Sequence, residues 1–203
     1  MSLASYSDLI TSVASELHRS DLNSVIPDKI TLAEVRINGD MDARLQDTKT
    51  TITCVTNQDY VDSPSDLINI RRLSVKTNPD VIMKYDSPDQ FGSSYPYDQS
   101  GIPRVYTIVG SKIYIAPKPD SNYTIDIIYK AKVPSLTSGA PTNWLITNYP
   151  NVYFYAVLLE MSPYIKDDAR MQMWKSAYDM AIASVNAQDW YSGSTMYVRT
   201  DVR

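Results

Sequence analysis

The hydrophobic period of the chain changes twice, from helical to alternating and back, and those changes set the order of its elements. Residues 5–18 place Tyr6, Leu9, Ile10, Val13 and Leu17 at the spacing of one helix face. Ser5 followed by Asp8 has the form of a capping box with Asp in place of Glu, which puts the start of that helix at Ser5. A second helix is predicted to open at Ile26-Pro27-Asp28, because proline fits a first turn and a carboxylate suits the positive pole. Ile26, Ile30, Ala33, Ile37 and Met41 then share a face, while Asn38-Gly39 interrupts the helix formers and predicts an early end or a kink. The polar stretch 20–24 between the two is short, so they are expected to pack on each other as a helical hairpin.

From Thr48 the period falls to two and β-branched and aromatic residues take over. Strands are expected at 50–55, 67–75, 81–85, 104–109, 112–116 and 123–132, each bounded by Pro, Gly, Asn or Asp. Gly110-Ser111 marks a tight hairpin and 117–122 a second turn, which predicts an antiparallel meander for the last three strands. Residues 87–102 are rich in turn formers and carry Phe91, Tyr95 and Tyr97. They read as a long loop, serving either as a partner contact or as a plain connection.

Helical pattern returns after Pro141-Thr142-Asn143-Trp144-Leu145. The segment from Pro150 to Ser162 is apolar nearly all round and tyrosine-rich, which predicts burial between other elements, and Pro163 is expected to end or kink it. A last helix starts near Asp167-Asp168 and lines up Met171, Trp174, Tyr178, Ala181, Ile182 and Val185. Beyond Trp190 no helical period remains, and Met196-Tyr197-Val198-Arg199 alternates. That end is either a frayed tail or an arm that orders on a partner. The fold class is therefore α+β: N- and C-terminal helices forming an α-helical bundle, an inserted antiparallel β-sandwich or barrel, and an extended C-terminal arm. The expected divisions are 1–47, 48–135, 136–190 and 191–203.

Composition narrows the function. With 43% hydrophobic and 21% charged residues the chain is ordinary for a globular protein, and no apolar run nears the ~18 residues of a membrane span. The first residues lack the basic and apolar regions of a secretory signal, so a cytoplasmic product is expected. One cysteine, Cys54, rules out an internal disulfide and reads as a small buried thiol. His18 is the only histidine, which excludes sites needing two imidazoles in one chain; near a helix end it suits the negative pole. Net charge is −4, so the molecule as a whole should not adhere to DNA phosphates. Arg71-Arg72, Lys112, Lys118, Lys130 and Lys132 fall in strands and read as solvated faces.

Catalytic chemistry is thin. Asp167-Asp168 invites an acid–base or metal reading, but capping accounts for it, since no further carboxylates or histidines converge. Asp40 and Asp42 at a helix end point about 200° apart and would not share an ion. Asn122-Tyr123-Thr124 matches a glycosylation acceptor by chance. With six glycines there is no phosphate-cradling loop, and there is no nucleophile elbow. No catalytic residue, metal site or cofactor is expected.

The order helical hairpin, β-insertion, helical hairpin, extended tail resembles the head-to-tail adaptor (connector) proteins of tailed bacteriophages. Residues 26–37, Ile26-Pro27-Asp28-Lys29-Ile30-Thr31-Leu32-Ala33-Glu34-Val35-Arg36-Ile37, look like that family's second helix. Residues 63–75 resemble the start of its strands, 106–117 its β-hairpin, and Thr142-Asn143-Trp144-Leu145 with the tyrosine-rich helix and the turn at 163–170 its closing hairpin. Asn38-Gly39 departs from the pattern. The resemblance implies a structural virion protein that joins the DNA-filled capsid to the tail, as a ring of about twelve copies closed by rotation. Its partners would be the portal ring, neighbouring copies of itself and downstream tail proteins such as a nozzle, tail tube or fibres. Double-stranded DNA would be transiting cargo only, and an acidic balance avoids gripping it. The implied location is the head–tail junction of the virion, after assembly in the host cytoplasm, with no membrane, no cofactor and no enzymatic activity. Tyr191, Met196, Tyr197, Val198 and Arg199 would anchor the arm on the portal, with Phe91, Tyr95 and Tyr97 as loop contacts. The alternative is another virion structural subunit, a tail-tube or capsid accessory protein. An enzyme or nucleic-acid-binding regulator is the remaining class.

Overall fold

Two separate apolar cores form, one from the ends of the chain and one from its middle. The computed structural model describes residues 3–94, 99–166 and 168–188. One unit comprises Met1–Ala43 with Val133–Arg203, the other Arg44–Lys132. The class is mixed α+β, with six α-helices and two four-stranded sheets among the described residues.

In the helical unit, α1 spans Tyr6–Glu16 and its N-cap Ser5 accepts from Asp8 N–H at 3.2 Å. Asp8 reaches back to Ala4 N–H at 3.3 Å, one residue short of a reciprocal box. Leu17 caps its C-terminus, and His18 follows in the left-handed region at φ 53, exposed. A 3-10 helix, Ser20–Ser24, buries Leu22 and leads into α2, Ile26–Asp40. Every residue of the predicted α2 face is buried, including Met41 just past its end. α2 stays helical through Asn38-Gly39 and ends one residue later, at Asp40. Asn38 is held by donating to Glu34 O at 2.8 Å and accepting from Val133 N–H at 2.8 Å, and a tertiary contact of this kind outweighs weak propensity.

α1 and α2 touch each other over a short stretch and meet across the 3-10 helix between them. Both also pack on α5, Pro150–Ile165, which is flanked as well by α4, Trp144–Asn148, and α6, Asp168–Gln188. A helix apolar nearly all round has several faces to cover, which makes α5 the centre. Pro163 does not end it: α5 continues to Ile165 and closes on Lys166 at φ 56. The proline sits in the last turn, where only the bond to Leu159 O is forfeited. On α6, Trp174, Tyr178, Ala181, Ile182 and Val185 are buried as predicted, whereas Met171 is exposed in the first turns. Asp167 lies outside the described residues.

In the β unit, the first sheet has the order β1-β8-β3-β4: Asp47–Cys54, Tyr123–Ala131, Leu67–Val75 and Val81–Ile82. The second has the order β2-β7-β6-β5: Tyr60–Asp62, Lys112–Ala116, Val105–Val109 and Lys84–Tyr85. One cluster joins the two, with Ile125, Ile127 and Leu73 from the first sheet and Ile113, Ile115 and Tyr106 from the second. The predicted run 81–85 is therefore two strands. Met83 N–H bonds Leu73 O in the first sheet at 2.9 Å, and Lys84 N–H bonds Arg104 O at 2.9 Å beside the second.

Two topological expectations fail. β6 and β7 form the predicted hairpin around Gly110 (φ +62), but β8 leaves for the first sheet, so there is no three-strand meander. Length decides it: a strand of nine residues finds partners of eight and nine in β1 and β3, whereas β6 and β7 have five each. Nor is the insert wholly antiparallel, since β5 pairs parallel to β6 over Lys84↔Val105 and Tyr85↔Tyr106. A crossover of that kind needs a longer connection, and the stretch read as a loop holds α3, Pro88–Ser94. Short β2 carried no signal beyond Tyr60 and Val61. Lys130, expected in solvent, is buried opposite Asp47 and Asn69.

Candidate functional site

Cys54, Asp40 and Asp42, singled out from the sequence, each have a partner in the fold. Cys54 is fully buried; its thiol donates to Tyr123 O at 3.3 Å, and burial pushes its pKa up, away from the thiolate. Asp40 accepts from Tyr178 O–H at 2.9 Å while Asp42 N–H bonds Asn186 Oδ1 at 2.9 Å, so these neighbours serve different contacts. Among the described residues no group of three or more His, Cys, Asp and Glu is placed to hold a metal. Among them, too, no helix is long and apolar enough to cross a membrane.

A buried polar chain fixes the helical unit. Glu34, on the inner side of α2, accepts at Oε1 from Leu136 N–H at 2.7 Å and Tyr153 O–H at 3.2 Å. Tyr153 in turn accepts from Asn143 Nδ2 at 2.7 Å. Asn143 caps α4 through Ile146 N–H at 2.9 Å and donates to Pro134 O at 2.6 Å. Burial, then the charge of Glu34, pushes the Tyr153 phenol well above its usual range. Burial and the bond to Asp40 do the same for Tyr178. These residues orient α2, α4, α5 and the segment 133–143, and so set what the unit presents outward.

Outward it presents uncovered apolar side chains. On α2, Leu32 and Val35 lie opposite the buried face, 49% and 69% exposed. On α6, Met173 and Met180 are 58% and 68% exposed, seven residues apart on one stripe. Ala169, Ser176, Ser184 and Ala187 share that side of α6, so it carries no charge. Asp28 and Arg36 flank the pair on α2, whereas on α6 the large apolar side chains stand on an uncharged face, the mark of a contact surface.

Alongside α6 lies a groove of about 420 Å³. It is lined by Leu159, Ile182 and Ala183 together with Arg36, Asp40, Lys175 and Asp179. Arg36 bonds Glu160 Oε1 through Nη2 at 2.6 Å and Lys175 bonds Asp179 at 2.7 Å. Among the described residues no cation stands within ion-pair reach of Asp40.

In the β unit the exposed cations are largely tied up. Lys49 and Lys76 share Asp126 at 2.9 and 3.1 Å, Arg71 meets Asp47 at 3.3 Å, and Lys112 stands 3.7 Å over the Tyr60 ring. The hydrogen bond from Lys49, then that from Lys76, holds the Asp126 carboxyl below its ordinary range. Ile82 and Tyr85 are exposed, with Tyr85 edge-on to Tyr106 at 5.7 Å between ring centroids.

Of the residues picked from sequence, Phe91 lies half-buried in α3, its N–H on Ser87 O at 2.9 Å. Tyr95, Tyr97, Tyr191, Met196, Tyr197, Val198 and Arg199 lie outside the described residues. Leu32, Val35, Met173 and Met180 were missed. The available signal was apolar residues recurring on the polar side of an amphipathic helix, at spacings of three and seven.

The family model of the SU10 adaptor protein matches residues 4–199. The chain belongs to that family, and its class is that of the phage structural adaptors. No curated protein sequence matches the chain.

Proposed function

We propose that this protein is a head-to-tail adaptor of a tailed bacteriophage. It forms a ring of about twelve copies, closed by rotation, beneath the portal of the DNA-filled capsid. It links the portal to downstream tail proteins, a nozzle, tail tube or fibres, and leaves a channel through which double-stranded DNA passes. Its place is the head–tail junction of the virion, reached after assembly in the host cytoplasm. The helices act as a bundle that makes the ring, with residues 48–135 as an inserted sandwich-like module and 191–203 as an arm. Tyr191, Met196, Tyr197, Val198 and Arg199 anchor that arm on the portal, and Phe91, Tyr95 and Tyr97 add loop contacts.

The observation that carries this reading is the family match over residues 4–199. Two features support it. The apolar residues left uncovered on α2 and α6 suit contacts between copies. The sequence balance of the units also suits it, with 13 Asp and Glu against 8 Lys and Arg in the helical unit and 10 against 11 in the β unit. An acidic helical ring repels the phosphates that pass it.

Electron microscopy of the protein alone and mixed with portal rings of the same virus tests the proposal. A single closed ring stacked on the portal is expected. No binding, or growth into long tubes, overturns it and favours a tail-tube subunit. Deleting residues 191–203 should leave a folded protein that joins the portal poorly; unchanged binding removes the arm from the reading.

A further inference from the structure

The side of α6 that faces away from the helical core has a period of its own. Ala169, Met173, Ser176, Met180, Ala183 and Ala187 recur at alternating steps of four and three, and all six are exposed. Such steps are the spacing of a seam that packs along another helix. The opposite side of α6, from Trp174 to Val185, is already taken up by the core.

Large and small residues follow one another along the seam in an order that suits a second copy running the other way. With a two-fold axis at the level of Tyr178, Met173 of one copy stands opposite Ala183 of the other and Met180 opposite Ser176, so every methionine meets a small residue. Ala169 meets Ala187 at either end, which lets the axes approach toward the close end of the usual range of about 8–10 Å. A parallel pair would set methionine on methionine and alanine on alanine, a bulge beside a void at successive turns. The charges agree with the antiparallel register. On one flank of the uncharged seam each copy brings Lys175 and Asp179, bonded at 2.7 Å. Each Asp179 then has Lys175 of the other copy two residues away along the axis, about 3 Å, which offsets the approach of the two carboxylates. On the other flank Arg170, over the Trp174 ring at 5.2 Å, comes level with Asn186 of the second copy and meets no cation.

We propose that in the free protein two copies pair through α6, antiparallel about a two-fold axis, with Met173 and Met180 of each seated on Ala183 and Ser176 of the other. The seam is about 27 Å long and a helix about 10 Å wide, so each copy gives about 300 Å², well under the ~800 Å² per partner of a stable complex. The pair is therefore exchangeable, mostly monomer at about 1 μM and mostly dimer at about 1 mM. A two-fold contact closes on itself and does not propagate, so it covers this face without starting a ring. Pairing of this kind belongs to the free protein and holds whether or not the adaptor reading does.

Sedimentation equilibrium of the full chain across that concentration range should show monomer passing to dimer and no further. Register is read by mild oxidation of an equimolar mixture of Ser176→Cys and Met180→Cys copies. Disulfides should join the two variants to each other well above the half that random pairing gives, counted from the masses of the linked peptides. The unmutated protein, whose single thiol Cys54 is buried, is the blank. Packing is read by size. Ser176→Met sets methionine against methionine and should weaken pairing about tenfold, and adding Met180→Ser to the same chain puts large on small again and should recover it. Both positions are exposed, so the helical core is untouched. A protein that stays monomeric at about 1 mM, links of like with like, a swap that fails to recover pairing, or growth beyond two copies would each overturn the proposal. The last would assign the face to head-to-tail contacts instead. Portal binding is measured separately, so a failed pairing assay leaves the adaptor reading intact and a failed portal assay leaves the pair intact.

Discussion

The Glu34 carboxyl is held inside the helical unit by two donors, Leu136 N–H and Tyr153 O–H, both on Oε1. Removing the acceptor strands both donors in a buried place, so Glu34→Ala should destabilise the protein by about 2–4 kcal/mol. Tyr153→Phe breaks the chain one step further along, stripping Glu34 of a donor and Asn143 of an acceptor, and should cost about 1–2 kcal/mol. Denaturant unfolding measures both. The buried phenols also set an alkaline limit. Tyr153 and Tyr178 have their pKa raised in the folded state, so the folded protein keeps protons that the unfolded chain gives up. Their contribution is complete below the unfolded value of about 10 and is lost as pH rises above it. Midpoints of unfolding should fall beyond that pH, and tyrosinate absorbance should show a fraction of phenols that ionises only on unfolding.

Elements with a strong period could be read from the chain, and those fixed by distant partners could not. The α2 face from Ile26 to Met41 and the α6 face from Trp174 to Val185 follow from spacing alone. Passage of α2 through Asn38-Gly39 depends on Val133, far along the chain, and local propensity carries no trace of it. The same limit hid the destination of β8, since alternation says which side chains face in but not which strand is adjacent. Of the candidate surface, Leu32, Val35, Met173 and Met180 were visible as letters, yet the groove exists only once α2, α5 and α6 are brought together. Two substitutions test the element-level account. Gly39 is helical, and an added Cβ would meet nothing within 4 Å, so Gly39→Ala should stabilise the protein by about 0.5–1 kcal/mol. Lys166 ends α5 in the left-handed region, and Lys166→Gly should gain up to about 1 kcal/mol, read as a higher thermal midpoint.

At the scale of the whole molecule, stability and assembly are separable. Val35→Glu and Met180→Glu change side chains that point away from both cores, so each should shift stability by less than about 0.5 kcal/mol. In the ring proposed above each should nevertheless reduce assembly seen in electron micrographs, because a buried charge without a partner penalises a contact between copies. Among the described residues the apolar cluster of the helical unit draws none from 44–132, and the cluster of the β unit draws none from outside that range. The two ends of the insert also leave side by side, with Asp47 registered against Lys130 across β1 and β8. On the helical side Asn38 accepts from Val133 N–H. Such a layout makes the β unit a cassette. Insertions, deletions or wholesale exchange of that module leave the helical core's own contacts in place.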